Sequence, residues 1–229
     1  MGKRGEQNLG AKVYLFVYNA LQFLGWFYCL LLLLKFFSTK QTNYRQLWKQ
    51  VELPLTIFQT LQLIEVLHCI IRLVPSSPFT TFIQIASRLI VVWGILKPVA
   101  ETQTSIGVPL IVGSWSVAEI TRYLYYALNL INCIPYFLTW CRYTFFTFLY
   151  PSGVSGELIL MYTALPYIAR RQIYSYQLPN PFNISFQYNL ALILLMLSYI
   201  PFFPLLYFYM VGQRRKMLGG KEAGSKKAN

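Results

Sequence analysis

Charge is what this sequence has least of. Asp, Glu, Lys and Arg together make up 12% of its 229 residues, where globular domains carry about a quarter. So few charges exclude an ordinary water-soluble domain. Metal and thiol patterning is also missing: Cys29, Cys69, Cys133 and Cys141 lie within or at the edges of apolar runs, with no CxxC and no Cys/His ligand spacing. The four read as reduced packing residues, with no sign of a metal site among them. There is no internal repeat. No cleavable signal sequence is visible either, because the first apolar run is too long for an h-region and no small-residue cleavage site follows it.

What is present is apolar. Hydrophobic residues make up 56% of the chain and aromatic residues 17%, and runs of about twenty recur, each long enough to cross about 30 Å of hydrocarbon. The expectation is an all-α polytopic membrane protein in one bundle of six transmembrane helices. A leader is expected over residues 1–11, the bundle over 12–211 and a basic tail over 212–229. The spans should lie near residues 13–34, 54–74, 79–96, 108–131, 143–167 and 188–210, with Pro54 at the start of the second. The net charge of +13 collects at the ends, with Lys3, Arg4 and Lys12 before the first span and Arg214, Arg215 and Lys216 after the last. Basic flanks stay on the cytoplasmic side, so both termini are expected in the cytosol and the number of crossings even. Lys35, Lys40, Arg45 and Lys49 count against that topology, since it places them in the lumen. The basic residues flank spans instead of forming an aromatic-interleaved patch, so no nucleic acid is expected.

The polar residues inside the spans carry the chemistry. Glu65, His68 and Arg72 follow one another at spacings of three and four and share a helix face. Two readings stand: a buried network that joins helices, or the wall of a cavity. Arg88, one third of the way along its span, should face the bundle interior or reach the interface. Glu119 and Arg122, three apart, can pair within one helix, and catalysis is the other role open to Glu119.

The organising stretch is Leu149-Tyr150-Pro151-Ser152-Gly153-Val154-Ser155-Gly156-Glu157. Seven residues are nearly two helical turns, so the phenol of Tyr150 and the carboxylate of Glu157 should look the same way. Pro151 cannot give an amide hydrogen to the Thr147 carbonyl, so the fifth helix is expected to kink or break there. With the span entered at Arg142, Tyr150 lies about 12 Å and Glu157 about 22 Å along it. Apolar surroundings disfavour the ionised form of Glu157, which suits a group exchanging a proton near neutrality. The competing reading is a kinked helix whose Glu157 only bonds a neighbour.

Several strings resemble the 3-hydroxyacyl-CoA dehydratases of very-long-chain fatty acid elongation. The stretch from Leu149 to Glu157 resembles that family's active-site segment; Gln62 to His68, Ser87-Arg88-Leu89 with Trp93-Gly94-Ile95, and Glu119 to Tyr123 resemble its second, third and fourth helices. The likeness implies an endoplasmic-reticulum enzyme of six spans that removes water from (3R)-3-hydroxyacyl-CoA to give trans-2-enoyl-CoA, with no cofactor. It implies Tyr150 and Glu157 as the catalytic pair, Glu157 as base and Tyr150 as proton or hydrogen-bond donor. Arg72, Arg122 and Arg142 become candidates for the CoA phosphates. The partners implied are the acyl-CoA, the bilayer, and the condensing enzyme and two reductases of the elongation cycle. That family is also described as phosphatase-like, but five residues after Cys69 this chain has Pro75, which offers a phosphate neither charge nor donor. Lys226-Lys227 resembles the dilysine retrieval signal of endoplasmic-reticulum proteins. A non-catalytic membrane adaptor that binds elongation enzymes or signalling proteins is the alternative.

Overall fold

A computed structural model describes residues 8–225 except 180, 182 and 184, with the backbone alone over 219–225. The described residues form helices and one isolated antiparallel bridge between Tyr176 and Phe186, with no strand among them. In chain order the helices are α1 (Leu9–Ser38), α2 (Tyr44–Leu61), α3 (Leu63–Ile70), α4 (Pro78–Leu89), α5 (Gly107–Leu130), α6 (Tyr136–Thr144), α7 (Phe146–Arg171) and α8 (Tyr188–Ser225). A π-helical stretch, Ile90–Leu96, continues α4, and a short 3-10 turn, Ala100–Thr104, leads to α5. Thus α1 begins inside the expected leader, and α8 runs on into the expected tail.

The helices are apolar nearly all round, and geometry decides which stripe is buried. In α1 the buried residues Leu15, Tyr18, Gln22, Trp26, Cys29, Leu33 and Phe36 recur at three and four, the helical repeat. Val13, Leu21, Leu24 and Tyr28 point outward with half or more of their surface free. An outward face of that kind belongs in hydrocarbon. Four helical segments are long and apolar enough to cross a membrane: Leu9–Ser38, Tyr44–Ile70, Pro78–Leu96 and Tyr188–Leu218. The chain is a membrane protein.

The second helix corrects the sequence reading. It starts at Tyr44, ten residues before Pro54, which lies inside it. Asn43 caps it by accepting the Arg45 N–H at 3.0 Å. Leu47, Trp48, Val51 and Leu55 form its buried stripe, and the charged Arg45, Lys49 and Glu52 on other faces mask that stripe in a hydropathy profile. The helix is interrupted at Gln62, whose side chain accepts from Gln59 at 2.8 Å. After α3 the chain leaves the helix at Arg72 in a left-handed conformation (φ 58°), so Arg72 does not share a helical face with Glu65 and His68.

Of the kink or break expected at Pro151, the break does not fall there. The helix is interrupted at Phe145, between α6 and α7, while Pro151 sits inside α7, which runs through to Arg171. The missing N–H of Pro151 leaves the Thr147 carbonyl without its usual helical donor, and the turns on either side hold.

The central element is α5, which packs against α1, α2, α6 and α7. Its contact with α7 depends on two glycines. A Cβ on Gly156 would stand 2.9 Å from the Ile111 and Leu110 side chains and 3.2 Å from the Gly107 carbonyl, and one on Gly107 would stand 2.6 Å from Leu160. Small residues let the two backbones touch, the usual device for joining helices where lipid removes the hydrophobic drive. On the far side of α7, α8 presents Tyr199, Phe203 and Tyr207 at helical spacing; Phe203 stacks on Tyr150 at 5.0 Å and Tyr207 meets Phe146 edge-on at 5.8 Å. At one end of the bundle Arg171 pairs with Glu101, which holds that carboxyl below the ordinary carboxylate range.

Gly156→Ala forces α5 and α7 apart and should cost about 1–3 kcal/mol, read as a lower melting temperature in detergent. Gly212→Ala meets nothing within 4 Å and should leave melting unchanged.

Candidate active site

Glu157 lies on α7, one turn before the tightly packed Leu160 and Met161, and is 7% exposed. Its two oxygens are held from two other helices. Trp115 on α5 donates its indole N–H to Oε1 at 3.1 Å, and the Tyr199 hydroxyl on α8 donates to Oε2 at 2.6 Å. Both donors are neutral. Two hydrogen bonds fix the plane of the carboxylate without cancelling its charge.

The cations of the interior are committed to other acids. Arg88 on α4 pairs with Glu119 on α5, and its guanidinium lies 5.3 Å above the Trp115 ring. Arg122 pairs with Glu119 through Nε at 2.7 Å and donates to both oxygens of Glu65 at 3.1 Å. The Tyr123 hydroxyl also donates to Glu65, and Tyr18 reaches the same carboxylate at 3.3 Å. Glu65, Glu119 and Glu157 therefore face two guanidiniums, both engaged by the first two. Among the described residues no cation pairs with Glu157. The pairing of Glu119 with Arg122 is as the spacing implied, and the face of Glu65 and His68 is a network that joins α1, α3 and α5. His68 completes it, bonded to the Tyr14 hydroxyl at 2.9 Å.

Tyr150 lies seven residues before Glu157 on the unbroken α7, so the two Cα atoms are nearly aligned and about 10 Å apart along the axis. Helical side chains all lean toward the N-terminus, so the two groups keep that offset along one face. The Tyr150 ring is held flat against Phe203, and among the described residues its hydroxyl has no hydrogen-bond partner. Between the two, Ser152 bonds Ser114 at 2.7 Å and fixes α7 to α5. Glu157 thus sits where α5, α7 and α8 meet, a carboxylate fixed by two neutral donors, with the Tyr150 phenol two turns earlier on the same helix.

The three arginine candidates separate. Arg122 lies inside the ion network. Arg142, on α6, has its guanidinium 4.3 Å over Tyr125 and 4.7 Å over Tyr126, donates to the Tyr126 hydroxyl at 3.3 Å, and keeps a buried Nη1 without a partner. Arg72 is exposed on the turn after α3. Cys69 is buried beside Thr81 at 3.6 Å, a packing position. Sequence reasoning missed Trp115 and Tyr199. Each is an aromatic in an apolar run, and the one available signal is a hydrogen-bonding ring in mid-span, away from the interfacial belt where such rings collect.

Glu119→Ala would strand Arg88 and one edge of Arg122. Stability in detergent should fall by about 3–5 kcal/mol, and Arg88→Met combined with Glu119→Leu should recover part of it.

The family described as "Protein tyrosine phosphatase-like protein, PTPLA" matches residues 59–220. The chain is 44% identical over 216 residues to the Homo sapiens protein named very-long-chain (3R)-3-hydroxyacyl-CoA dehydratase 2, covering 94% of this chain and 85% of that one. It is 45% identical over 220 residues to the Caenorhabditis elegans dehydratase hpo-8, covering 96% and 99%. Against the Arabidopsis thaliana dehydratase PASTICCINO 2 the identity is 38% over 208 residues, covering 90% and 93%. No solved structure matches.

Proposed function

The chain belongs to the protein tyrosine phosphatase-like family, PTPLA, and from that membership we propose how Glu157 and Tyr150 perform its dehydration. The protein is a 3-hydroxyacyl-CoA dehydratase, a hydro-lyase. Its reaction turns (3R)-3-hydroxyacyl-CoA into trans-2-enoyl-CoA, the dehydration step of fatty acid elongation.

Elimination needs a base for the C2 proton and an acid for the C3 hydroxyl, with bulk water kept out. Glu157 is the base. The observation that carries this is its isolation: of the three interior carboxylates it alone lacks a guanidinium, so its charge stays available to a proton. As the C2–H bond breaks, its electron pair becomes the C2–C3 double bond and the C3–O bond opens. Tyr150, with an uncommitted hydroxyl, gives its proton to the departing oxygen, which leaves as water. Glu157 then returns its proton toward the phenolate, and the site is reset. Trp115 and Tyr199 orient the carboxylate throughout. Arg88, stacked on Trp115 and paired with Glu119, ties that orientation to the ion network.

Six crossings fit the element order, with α2 and α3 forming one span, α4 and the π-helical stretch the next, and α6 with α7 another bent near Pro151. With both termini cytosolic, the turn bearing Arg72 and the segment bearing Arg142 fall at the cytosolic end, where the CoA phosphates would sit. Arg142, which among the described residues is in no ion pair, is the better placed for them; Arg122 is retained by its two carboxylates. The endoplasmic reticulum is the proposed location and the other elongation enzymes the proposed partners. The Lys226-Lys227 signal lies outside the described residues.

Detergent-purified protein should dehydrate a long-chain (3R)-3-hydroxyacyl-CoA. Glu157→Gln and Tyr150→Phe should each lower kcat by about 100-fold or more with melting unchanged. Variants as active as the parent would sink the assignment. Tyr199→Phe keeps the ring and loses the donor, so kcat should fall about tenfold or more while KM holds.

A further inference from the structure

We propose that the cleft between α7 and α8, on the Arg171 side of Glu157, holds the alkyl tail of the substrate. This rests on the reading that Glu157 acts at C2. The cleft has a volume of about 540 Å3 and an almost wholly apolar lining: Leu158, Tyr162 and Leu165 from α7, and Ile193, Met196 and Ile200 from α8. These lie at helical spacing on both helices, so the cleft is a continuous slot.

Its position gives the occupant. Leu158 follows Glu157 and Ile200 follows Tyr199, the donor to Glu157, so the slot begins at the level of the carboxylate, about 100° round each helix from it. Met196 lies three residues before Tyr199, on the same stripe of α8 that continues to Phe203 against Tyr150. Along α7 the order is then Arg142 just before its start, Tyr150, Glu157 and the apolar slot. A thioester is ordered in the same way, with a charged nucleotide end, the reacting carbons and a hydrocarbon tail. From Arg142 to Glu157 the helical rise is about 22 Å, room for the long arm between phosphates and thioester.

The slot also has a limit and an opening. From Leu158 to Leu165 it runs about 10 Å, and an extended alkyl chain with C–C bonds of about 1.5 Å fills that with about eight carbons. Tyr162 is 71% exposed and Ile200 70% exposed, so the outer wall is open to the bilayer. The slot aligns the first carbons beyond C3 and lets the rest run out among lipid chains. An open wall sets no upper limit on chain length, since a methylene leaving the slot enters another hydrocarbon.

The test compares kcat/KM for a six-carbon (3R)-3-hydroxyacyl-CoA, whose tail stops short of the far end, and a twenty-carbon one. Ile193→Trp fills the far end of the slot and should lower the long-to-short ratio at least about tenfold. Leu194→Trp, on the lipid-facing side outside the slot, should leave it unchanged. An unchanged ratio in Ile193→Trp, or an equal fall in both variants, overturns the proposal. A second measurement needs no variant: a substrate carrying a diazirine at the tenth carbon is photolysed on the parent protein. Labelling within residues 158–165 and 193–200, displaced by unlabelled substrate, is the expected result. Labelling elsewhere, or labelling there that substrate does not displace, identifies bilayer lipid as the occupant and overturns it. A parent inactive on both substrates would sink the dehydratase reading, and the photolabel would still read the slot.

Discussion

A charge inside hydrocarbon has no water to turn to, and the bundle is arranged around that constraint. Breaking one interior ion pair would strand a charge at a cost of several kcal/mol, so the acids and guanidiniums of α3, α4 and α5 must be positioned together. Arg122 is the hub: it takes both oxygens of Glu65 and one of Glu119, while Arg88 completes Glu119. Once these four are matched, the excess negative charge falls to Glu157. Neutral donors hold it because the cations are already used.

The same arithmetic accounts for the shape of the site. Glu157 must be close enough to α5 to reach the Trp115 indole, which requires the backbones of α5 and α7 to meet at Gly107 and Gly156. It must also face α8, which is mostly open to lipid and is joined to α7 through aromatic contacts and the Tyr199 hydroxyl. One side of the carboxylate is thus rigid and the other rests on the most loosely held helix.

Family membership and geometry bear on different questions. The matches along 90% or more of the chain fix the activity, but they do not say what a given side chain touches. The phosphatase-like family description leaves no imprint on the site: Cys69 is a buried packing residue at the end of α3, and a proline stands where a phosphate-binding arginine would be needed.

The sequence by itself determined an all-helical membrane chain, because long uncharged runs admit no other way to satisfy backbone polar groups in lipid. It also determined the Glu119–Arg122 pair and the alignment of Tyr150 with Glu157, both consequences of helical period within one segment. It misplaced what depends on faces and neighbours. The start of α2 was hidden because Arg45, Lys49 and Glu52 lower the average hydropathy of a helix whose buried stripe is wholly apolar. Arg72 is spaced to share a face with Glu65, but the helix ends before it. Only the tertiary structure decided that Arg88 takes Glu119, that Arg122 also takes Glu65, and that Trp115 and Tyr199 hold Glu157. Those partners are 31, 57, 42 and 42 residues apart, and no period along one helix carries information across such separations.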